Sequence, residues 1–447
     1  MSGFLRNLAR IAAGLLFIFS GYVKAIDPMG SAIKFGEYFE AFGTHFLVPG
    51  ALFFGIALAL VELLAGLCFL FGLRMKQVSW LALLFMIFMT GLTLVLAVTD
   101  KVKDCGCFGD AIKLTNWQTF YKNLIILPVV AYIFAMRRKF AVVMYPFAEW
   151  SVVTALAAAC MILSIHTHRH LPLIDFMPYK VGVNLPEAMT RPEGAAEDEY
   201  EVTLIYEKDG KKEKFTMDNY PAEDSTWTFV DSESKLIKAG YIPPAQDFAI
   251  STFDGAAEVS YIYEIDGVQH KSDEMPADSV EVTTIEETGH IQDMILSHPG
   301  YLFFLTSSEI KTAAHNKFDA INTIFDYAKD KDMKFIMLSG SSYEETLEYI
   351  TSGQGKYKAY FTDETVLKSM VRSNPGLILL KDGVILRKWS RSDFPSVEEL
   401  NKLINESPAS IIKAHKNRET ASSWAFVAIV ALLFLCFSFK TMQRNRR

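Results

Sequence analysis

The chain has 447 residues and a formal net charge of −7, and hydrophobic residues make up 51% of it. The charge is unevenly divided, because the ends before residue 166 and after residue 421 hold 17 Lys and Arg against 8 Asp and Glu, whereas the middle holds 27 against 43. Apolar, basic ends around an acidic middle exclude a plain soluble enzyme, and the acidic middle argues against nucleic acid as a partner, because phosphate binding needs a basic face.

Six apolar stretches approach or reach the ~20 residues that a helix needs to cross the hydrocarbon core of a bilayer. They are residues 8–23, 51–73, 78–98, 120–136, 142–165 and 424–439, of which the first and the fourth are short. The sequence therefore predicts a membrane α-helical bundle with six transmembrane helices.

The charges beside these stretches predict their orientation. Eleven Lys and Arg residues fall on one side if all six stretches span the membrane: Arg6, Arg10, Arg74, Lys76, Arg137, Arg138, Lys139, Lys440, Arg444, Arg446 and Arg447. Because positive charges collect on the cytoplasmic side of the cell (inner) membrane, both termini are expected in the cytoplasm. Segments 24–50, 99–119 and 166–421 are then extracytoplasmic. The first stretch lacks a small-residue cleavage site and is expected to remain as a signal anchor.

The extracytoplasmic region is expected to begin with a tether and two β-hairpins. Residues 166–196 are rich in Pro and Gly, which is typical of a tether. Segments 201–210 and 258–267 each alternate apolar and polar residues and end in Asp-Gly. This pattern is typical of a hairpin whose turn needs a positive φ. The sequence therefore predicts two related hairpins separated by 57 residues.

From residue 300 onward, predicted strands alternate with predicted helices. The strands are 301–306, 334–339, 359–362, 377–381 and 384–389, and the helices are 308–328, 343–351, 364–371 and 397–404. This order predicts an α/β layer domain whose last two strands are antiparallel.

Residues 245–406 resemble a thioredoxin-like domain of the redoxin kind. The resemblance rests on this element order, on the lead-in Pro-Pro-Ala-Gln-Asp-Phe-Ala-Ile-Ser-Thr-Phe-Asp-Gly at 243–255, and on Ser-Asn-Pro-Gly-Leu-Ile-Leu-Leu-Lys-Asp-Gly at 373–383. It implies a cis bond before Pro375 and a partner-binding groove between Pro375 and residues 307–311. The sequence departs from the family at 306–311, where Thr-Ser-Ser-Glu-Ile-Lys replaces the redox Cys-x-x-Cys, and no cysteine occurs between 161 and 435. This domain is therefore not expected to run thiol exchange alone.

The strongest local signal is Asp-Cys-Gly-Cys-Phe-Gly-Asp at 104–110. Cys105 and Cys107 are candidates for a redox-active dithiol, for a structural disulfide that ties the loop, or for part of a metal site. A metal would need further ligands, and the available histidines are His45, His166, His168 and His170. Cys160 is either a resolving thiol for this pair or a small apolar residue of its helix, while Cys68 and Cys436 are assigned no role.

Glu62 lies near the middle of the second apolar stretch. A carboxyl group at that depth is costly enough to suggest a function. It is expected to be protonated or to pair with Lys24, at the outer end of the first stretch, and a structural bond between helices and a role in proton transfer both remain open.

The first 138 residues resemble the DoxX-like membrane family, and especially its MauE branch, the methylamine utilisation protein. The residues that carry the resemblance are Arg10, Gly14, Gly21, Lys24, Asp27, Pro28, Glu62 and Asp-Cys-Gly-Cys-Phe-Gly at 104–109. The resemblance implies a four-helix membrane domain linked to the maturation of methylamine dehydrogenase, whose small subunit is rich in disulfides. It thereby implies extracytoplasmic handling of thiols or electrons.

Together these features predict five parts: a DoxX/MauE-like domain (1–138), a fifth transmembrane helix (142–165), a tether and β-rich segment (166–244), a thioredoxin-like domain without Cys-x-x-Cys (245–406) and a last transmembrane helix (424–439).

The expected function is thiol–disulfide or electron transfer through Cys105 and Cys107 to extracytoplasmic proteins bound near Pro375. The expected partners are these proteins and membrane lipid, with no cofactor indicated. The alternative is a non-enzymatic scaffold or assembly factor with a structural disulfide, and only Glu62 favours a third reading, small-molecule transport. Whether the chain is an enzyme stays open.

Overall fold

The structure is a computed structural model that describes residues 2–445, except 103, 141, 143, 198, 209, 223, 225, 239, 254–257, 266–267, 273–281 and 289–290. In this part of the chain the helices are α1 (Ser2–Ile26), α2 (Pro28–Ala41), α3 (Ala51–Phe71), α4 (Met75–Thr99), α5 (Asn116–Ala135), α6 (Pro146–Arg169), α7 (Leu185–Met189), α8 (Ile291–Leu296), α9 (Phe318–Asp330), α10 (Tyr343–Ser352), α11 (Glu364–Met370), α12 (Val397–Ile404) and α13 (Pro408–Asn445). The strands are β1 (Glu199–Lys208), β2 (Lys211–Thr216), β3 (Thr228–Lys238), β4 (Glu258–Ile265), β5 (Val268–Ser272), β6 (Val282–Thr288), β7 (Tyr301–Ser307), β8 (Lys334–Ser339), β9 (Lys358–Phe361), β10 (Gly376–Lys381) and β11 (Val384–Ser390).

Six helices of the described chain are long and apolar enough to cross a membrane. They are α1, α3 with the 3-10 turn that precedes it, α4, α5, α6 and α13. The prediction of a helical membrane bundle is confirmed.

Close packing of α1 against α3 depends on glycines. A Cβ atom added at Gly21 would lie 2.3 Å from the backbone nitrogen of Leu63, and one added at Gly66 would lie 2.5 Å from that of Ile18. Small residues at such positions let two helix backbones approach closely, which is how membrane helices gain van der Waals contact without help from the hydrophobic effect. The glycines therefore fix the distance between the helices that carry Lys24 and Glu62.

The segment 24–50, expected as a loop, is mostly helical. Asp27 caps α2, because its side chain accepts a hydrogen bond from the backbone nitrogen of Gly30 at 2.9 Å. Pro28 occupies the first turn, where its missing N–H costs nothing. This pair is a recognisable helix start, and it places α2 beside the outer part of α3.

A five-stranded sheet forms the centre of the α/β domain. Its strand order is β11-β10-β7-β8-β9, with β7, β8 and β9 parallel and with β10 and β11 antiparallel to their neighbours. Alternate side chains enter two hydrophobic cores. Phe304 and Ile336 point towards α8 and α11, whereas Phe303 and Met337 point towards α9, α10 and α12.

One predicted helix of this domain begins later than expected. Instead of a helix from residue 308, β7 is followed by two short 3-10 turns, Ile310–Thr312 and His315–Lys317, and α9 starts only at Phe318. Ala313, between the turns, has an extended backbone, so the chain does not continue as a helix from β7.

The predicted tether is not free in the structure. Tyr179, Val181 and Leu185 are buried in the core of the α/β domain. The backbone nitrogen of Gly182 donates to the carbonyl oxygen of Ile385 at 2.7 Å, and Ile385 donates to the carbonyl oxygen of Val183 at 2.9 Å. These bonds occupy the edge of β11, so this segment covers a sheet edge that would otherwise be open.

The two repeated segments each form part of a three-stranded antiparallel sheet. The orders are β2-β1-β3 and β5-β4-β6, so each predicted hairpin gains a third strand on the other side of its first strand. Gly210, in the first turn, has a φ of +76° as expected. The Asp-Gly pair of the second turn, 266–267, lies outside the described residues.

The last membrane helix is much longer than predicted. Instead of starting near residue 424, α13 runs for 38 residues from Pro408. Neither Gly nor Pro interrupts it after Pro408. Its first turns reach the α/β domain, where Ile411 is buried, and further along Phe426 stacks on Tyr22 of α1 at 3.9 Å between ring centroids. A single helix thus connects the α/β domain to the membrane bundle.

The glycine contacts predict a position-dependent effect of adding one methyl group. Gly21→Ala and Gly66→Ala should each destabilise the membrane part by about 1–3 kcal/mol, because the Cβ atom meets backbone that cannot move aside. Gly91→Ala in α4 is the matched control, since nothing lies within 4 Å of its added Cβ. The thermal midpoint of the purified protein in detergent measures the difference. Equal midpoints for Gly21→Ala and Gly91→Ala would contradict the packing.

Candidate functional site

The two cysteines of the segment 100–115, called the dithiol loop, lie side by side. The sulfur atoms of Cys105 and Cys107 are 3.0 Å apart. Gly106 between them has a φ of +62°, a conformation that L side chains avoid and that turns the two thiols towards each other. Both thiols are free in the structure. The local backbone therefore prepares the pair for forming or breaking a bond between its own sulfur atoms.

Hydrogen bonds from the neighbouring helices hold the dithiol loop. The Tyr38 hydroxyl on α2 donates to the carbonyl oxygen of Cys105 at 2.6 Å. The Asn116 side chain donates to the carbonyl oxygen of Val102 at 2.7 Å. Thr115 closes the loop with a capping box, because it accepts from the backbone nitrogen of Gln118 while the Gln118 side chain accepts from that of Thr115. The loop is thus fixed at its centre and at its end.

A buried ion pair in the membrane bundle supports the second cysteine. Lys24 of α1 lies 2.8 Å from Glu62 of α3, and both side chains are buried. The ammonium group of Lys24 also donates to the hydroxyl oxygen of Ser20 and to the carbonyl oxygen of Cys107. Its three N–H groups are therefore all used. The structure brings together three predicted residues, Lys24, Glu62 and Cys107, and adds Ser20, which the sequence did not single out.

The two thiols differ in acidity. The hydrogen bond with Cys107, together with burial, raises the pKa of Cys105. The same hydrogen bond, helped by the nearby ammonium groups of Lys122 and Lys24, lowers the pKa of Cys107 to about 6. One thiolate is thereby stabilised by the thiol beside it, and the nucleophile in thiol–disulfide chemistry is the thiolate.

A second buried charge cluster joins the α/β domain to the dithiol loop. Arg372, three residues before Pro375, has only 7% of its side chain exposed. Its guanidinium donates to Asp27, the cap of α2, at 3.1 Å and to Asp110, at the end of the cysteine motif, at 2.7 Å. No motif of the sequence includes Arg372, and Asp27 and Asp110 stand out only as parts of motifs. No local pattern predicts this cluster, because Arg372 lies 262 residues from Asp110 and 345 residues from Asp27 in the chain.

The peptide bond between Asn374 and Pro375 is cis, as expected. The Asn374 side chain faces the segment that includes the end of β7 and the first 3-10 turn after it. Its amide nitrogen donates to the carbonyl oxygen of Glu309 at 2.6 Å and to the hydroxyl of Thr312 at 2.9 Å, and its oxygen accepts from the Ser307 hydroxyl at 2.8 Å. Polar side chains therefore bridge the two sides of the expected groove.

The remaining candidates lie away from the dithiol. Cys160 packs with Cys68 in the apolar cluster between α1, α3 and α6, whereas Cys105 belongs to the cluster around α4 and the dithiol loop. The His170 ring contacts Asp393 at 2.6 Å. Among the described residues, no group of three or more His, Cys, Asp or Glu side chains is placed to hold a metal ion. The structure thus does not bring Cys160 to the pair as a resolving thiol.

The fold and the site define a multi-pass membrane protein with a dithiol loop at the end of the bundle that carries the α/β domain. Residues 2–137, which hold α1 to α5, match the family described as "Methylamine utilisation protein MauE", so this part of the chain is similar to MauE. Residues 200–239, which contain the first three-stranded sheet, match a "Domain of unknown function (DUF8463)". Comparisons with curated proteins and with solved structures gave no match.

The hydrogen bond between the thiols predicts a pH effect. Cys107 should be alkylated by iodoacetamide with a midpoint near pH 6, because its reactive thiolate persists down to its lowered pKa. Cys105→Ala removes the donor and should move this midpoint up towards the usual thiol value of about 8.5. Cys105→Ser keeps a donor and is the control. Mass spectrometry of the Cys107 peptide gives the rate, and an unchanged midpoint in Cys105→Ala would be against the assignment.

The Arg372 cluster predicts strong coupling between the two parts. Arg372→Gln leaves the carboxylates of Asp27 and Asp110, whose side chains are 14% and 21% exposed, without a counter-charge. The cost should be up to about 3 kcal/mol, the lower end of the range for a fully buried pair. The thermal midpoint should fall, and proteolysis between the parts should accelerate. Adding Asp27→Asn and Asp110→Asn to Arg372→Gln should recover much of the loss, since no charge then stays uncompensated. Lys214→Gln, in an exposed ion pair with Glu233, is the control and should change little. A triple variant no better than Arg372→Gln would argue against a charge effect.

Proposed function

We propose that this MauE-like membrane protein carries out extracytoplasmic thiol–disulfide or electron transfer through Cys105 and Cys107. The observation that carries the proposal is the contact between the two sulfur atoms at 3.0 Å, with one pKa lowered and the other raised. The Cys107 thiolate can attack a disulfide of a partner protein, which forms a mixed disulfide and releases one partner thiolate. Cys105 then attacks this mixed disulfide, so the pair becomes a disulfide and the partner leaves with both of its thiols reduced. Extracytoplasmic proteins are the proposed recipients or donors.

A static disulfide explains the site less well. The dithiol loop is already held by Tyr38 at Cys105 and by Lys24 and Ser20 at Cys107. A bond between residues two positions apart closes a very short loop, and the entropy that a cross-link removes from the unfolded chain is smallest for short loops. Such a disulfide would add little stability to a loop with this many hydrogen bonds.

We propose that the Lys24–Glu62 pair positions the dithiol rather than carrying protons. Glu62 accepts from Lys24 at 2.8 Å, and Lys24 in turn donates to the carbonyl oxygen of Cys107. A carboxylate engaged by an ammonium group inside the bundle serves as its counter-charge. Loss of the pair would release Cys107 from the bundle.

Sidedness follows from contacts and charges together. Because Arg372 of the α/β domain contacts Asp110 of the dithiol loop, both lie at the same end of the bundle. Arg74 and Arg137, in the connections after α3 and α5, belong to the opposite end. The excess of positive charge there supports a cytoplasmic location for that end, so the proposal puts the dithiol and the α/β domain outside the cytoplasm.

We propose that the α/β domain is thioredoxin-like but not itself redox-active. Support comes from the strand order β11-β10-β7-β8-β9, in which β10 is antiparallel to both β7 and β11, and from Pro375 directly before β10. The chain carries Ser307, the last residue of β7, and Glu309 where a redox member of that family carries its dithiol. Pro375 and this segment would bind partner proteins, while the membrane loop supplies the thiols.

A redox titration tests the proposal. The purified full-length protein is equilibrated in thiol buffers of graded potential, and free thiols are trapped with a maleimide that adds mass. A redox-active pair should show a midpoint less negative than about −300 mV, the region below which structural disulfides fall. Cys105→Ser/Cys107→Ser should abolish the transition, and Cys436→Ser, at an exposed thiol of α13, should leave it unchanged.

Two results would overturn the proposal. A pair that stays oxidised at every potential of the thiol buffers would be a structural disulfide, and this result would favour the scaffold or assembly factor. A pair that forms no disulfide at any potential would exclude thiol exchange at this site.

A further inference from the structure

A large cavity, called the aromatic cavity, lies directly beside the dithiol. It has a volume of about 550 Å³ and lies between α2, α3 and α4. Six phenylalanines line it: Phe35, Phe39, Phe42, Phe54, Phe85 and Phe88. Cys105, Gly106 and Cys107 form part of its wall. The volume is in the usual range for sites that bury a small organic molecule, about 300–1,000 Å³.

The cavity reaches the membrane-facing surface of the bundle. Phe88, on its wall, belongs to the membrane helix α4 and exposes 66% of its surface. Leu58 and Val61, on another wall, belong to the membrane helix α3. A molecule dissolved in the bilayer can therefore enter from the side. Cys105 is only 5% exposed and Cys107 is partly exposed, and both form part of the cavity wall.

The cysteine end of the cavity is polar. Lys34 of α2 lies on the wall, and its ammonium group contacts Glu37 at 2.9 Å and Asp104 at 3.3 Å. An ammonium group has three N–H donors, and these two contacts leave the third for a ligand. An acyl chain would need neither this donor nor the thiols. A ligand with an apolar body and an acceptor oxygen at one end would use both.

We infer that the aromatic cavity binds a lipid-soluble quinone, which exchanges two electrons with Cys105 and Cys107. This inference rests on the proposed redox role of the pair and names its partner inside the membrane. The quinone ring would pack among the phenylalanines, and one carbonyl oxygen would accept a hydrogen bond from Lys34.

The reaction balances without a further reagent. When the dithiol is oxidised, one S–S bond forms and the two sulfur atoms give up two electrons. The quinone takes these electrons and two protons at its two carbonyl oxygens and becomes a quinol. Cys105 supplies one proton, and the second comes from the solution, which has already received the proton of the Cys107 thiolate. The reverse reaction reduces the disulfide at the expense of the quinol.

The test uses the reduced full-length protein in detergent, without oxygen, and ubiquinone-1 as the probe. The ring of ubiquinone-1 is fully substituted, so a thiol cannot simply add to an open ring position. The expected result is one quinone reduced per protein, seen in its ultraviolet absorbance, with Cys105 and Cys107 converted to a disulfide in the trapped protein.

Leu58→Trp fills the cavity without touching the cysteines, and Leu84→Trp is the matched control on an exposed position of α4 outside the cavity. Leu58→Trp should raise the quinone concentration for half-maximal oxidation at least ten-fold, whereas Leu84→Trp should not change it. The titration in thiol buffers should be the same in both variants and in the wild type, which shows that the dithiol is intact.

The outcomes separate the two proposals. A wild-type protein that titrates in thiol buffers but is not oxidised by ubiquinone-1 overturns the quinone site and leaves the redox role standing. Equal quinone titrations for Leu58→Trp and Leu84→Trp also overturn it, because filling the cavity would then not hinder the quinone. A protein that does not titrate in thiol buffers overturns the redox role itself.

Discussion

The buried ion pair between Lys24 and Glu62 is the constraint on which the site depends. Taking two charges out of water costs several kcal/mol per ion, and only good geometry with further hydrogen bonds offsets it. Here Lys24 donates two of its N–H groups to Glu62 and Ser20 and the third to the carbonyl oxygen of Cys107. The charge inside the bundle is thus satisfied only when the dithiol loop is in place. The glycines that bring α1 close to α3, Gly21 and Gly66, are part of the same requirement, because they set the distance between the two charges.

The same loop is held a second time from the other side. Asp110 accepts from Arg372, which also binds Asp27 at the start of α2. A segment of a few residues therefore connects two buried charge clusters, one in the membrane bundle and one at the contact with the α/β domain. Since α13 also runs without a break from one part to the other, a movement of the α/β domain relative to the bundle would have to disturb the surroundings of the dithiol.

The sequence predicted what local patterns encode. Hydropathy located the six membrane helices, and the alternation of strand and helix patterns located β8 and α12 at the residues where the structure has them. The start of α2 is also readable, as Asp27-Pro28, although the position of segment 24–50 between two apolar stretches predicts only a loop. The burial of Tyr179, Val181 and Leu185 was not readable, because Pro and Gly in a tether and in a segment that covers β11 look alike. Nor was the contact of Arg372 with Asp27 and Asp110, since an arginine before a turn has no local sign of a partner hundreds of residues away.

The placement of the thiols limits how electrons can reach them. Cys105 is almost fully buried, and Tyr38, Lys24 and Ser20 hold the loop by its carbonyl groups. Cys107 is the more exposed of the two thiols, and both form part of the wall of the aromatic cavity. Under the proposed redox role, exchange with a partner protein would therefore begin at Cys107, and a flat molecule from the membrane would approach the pair through the cavity.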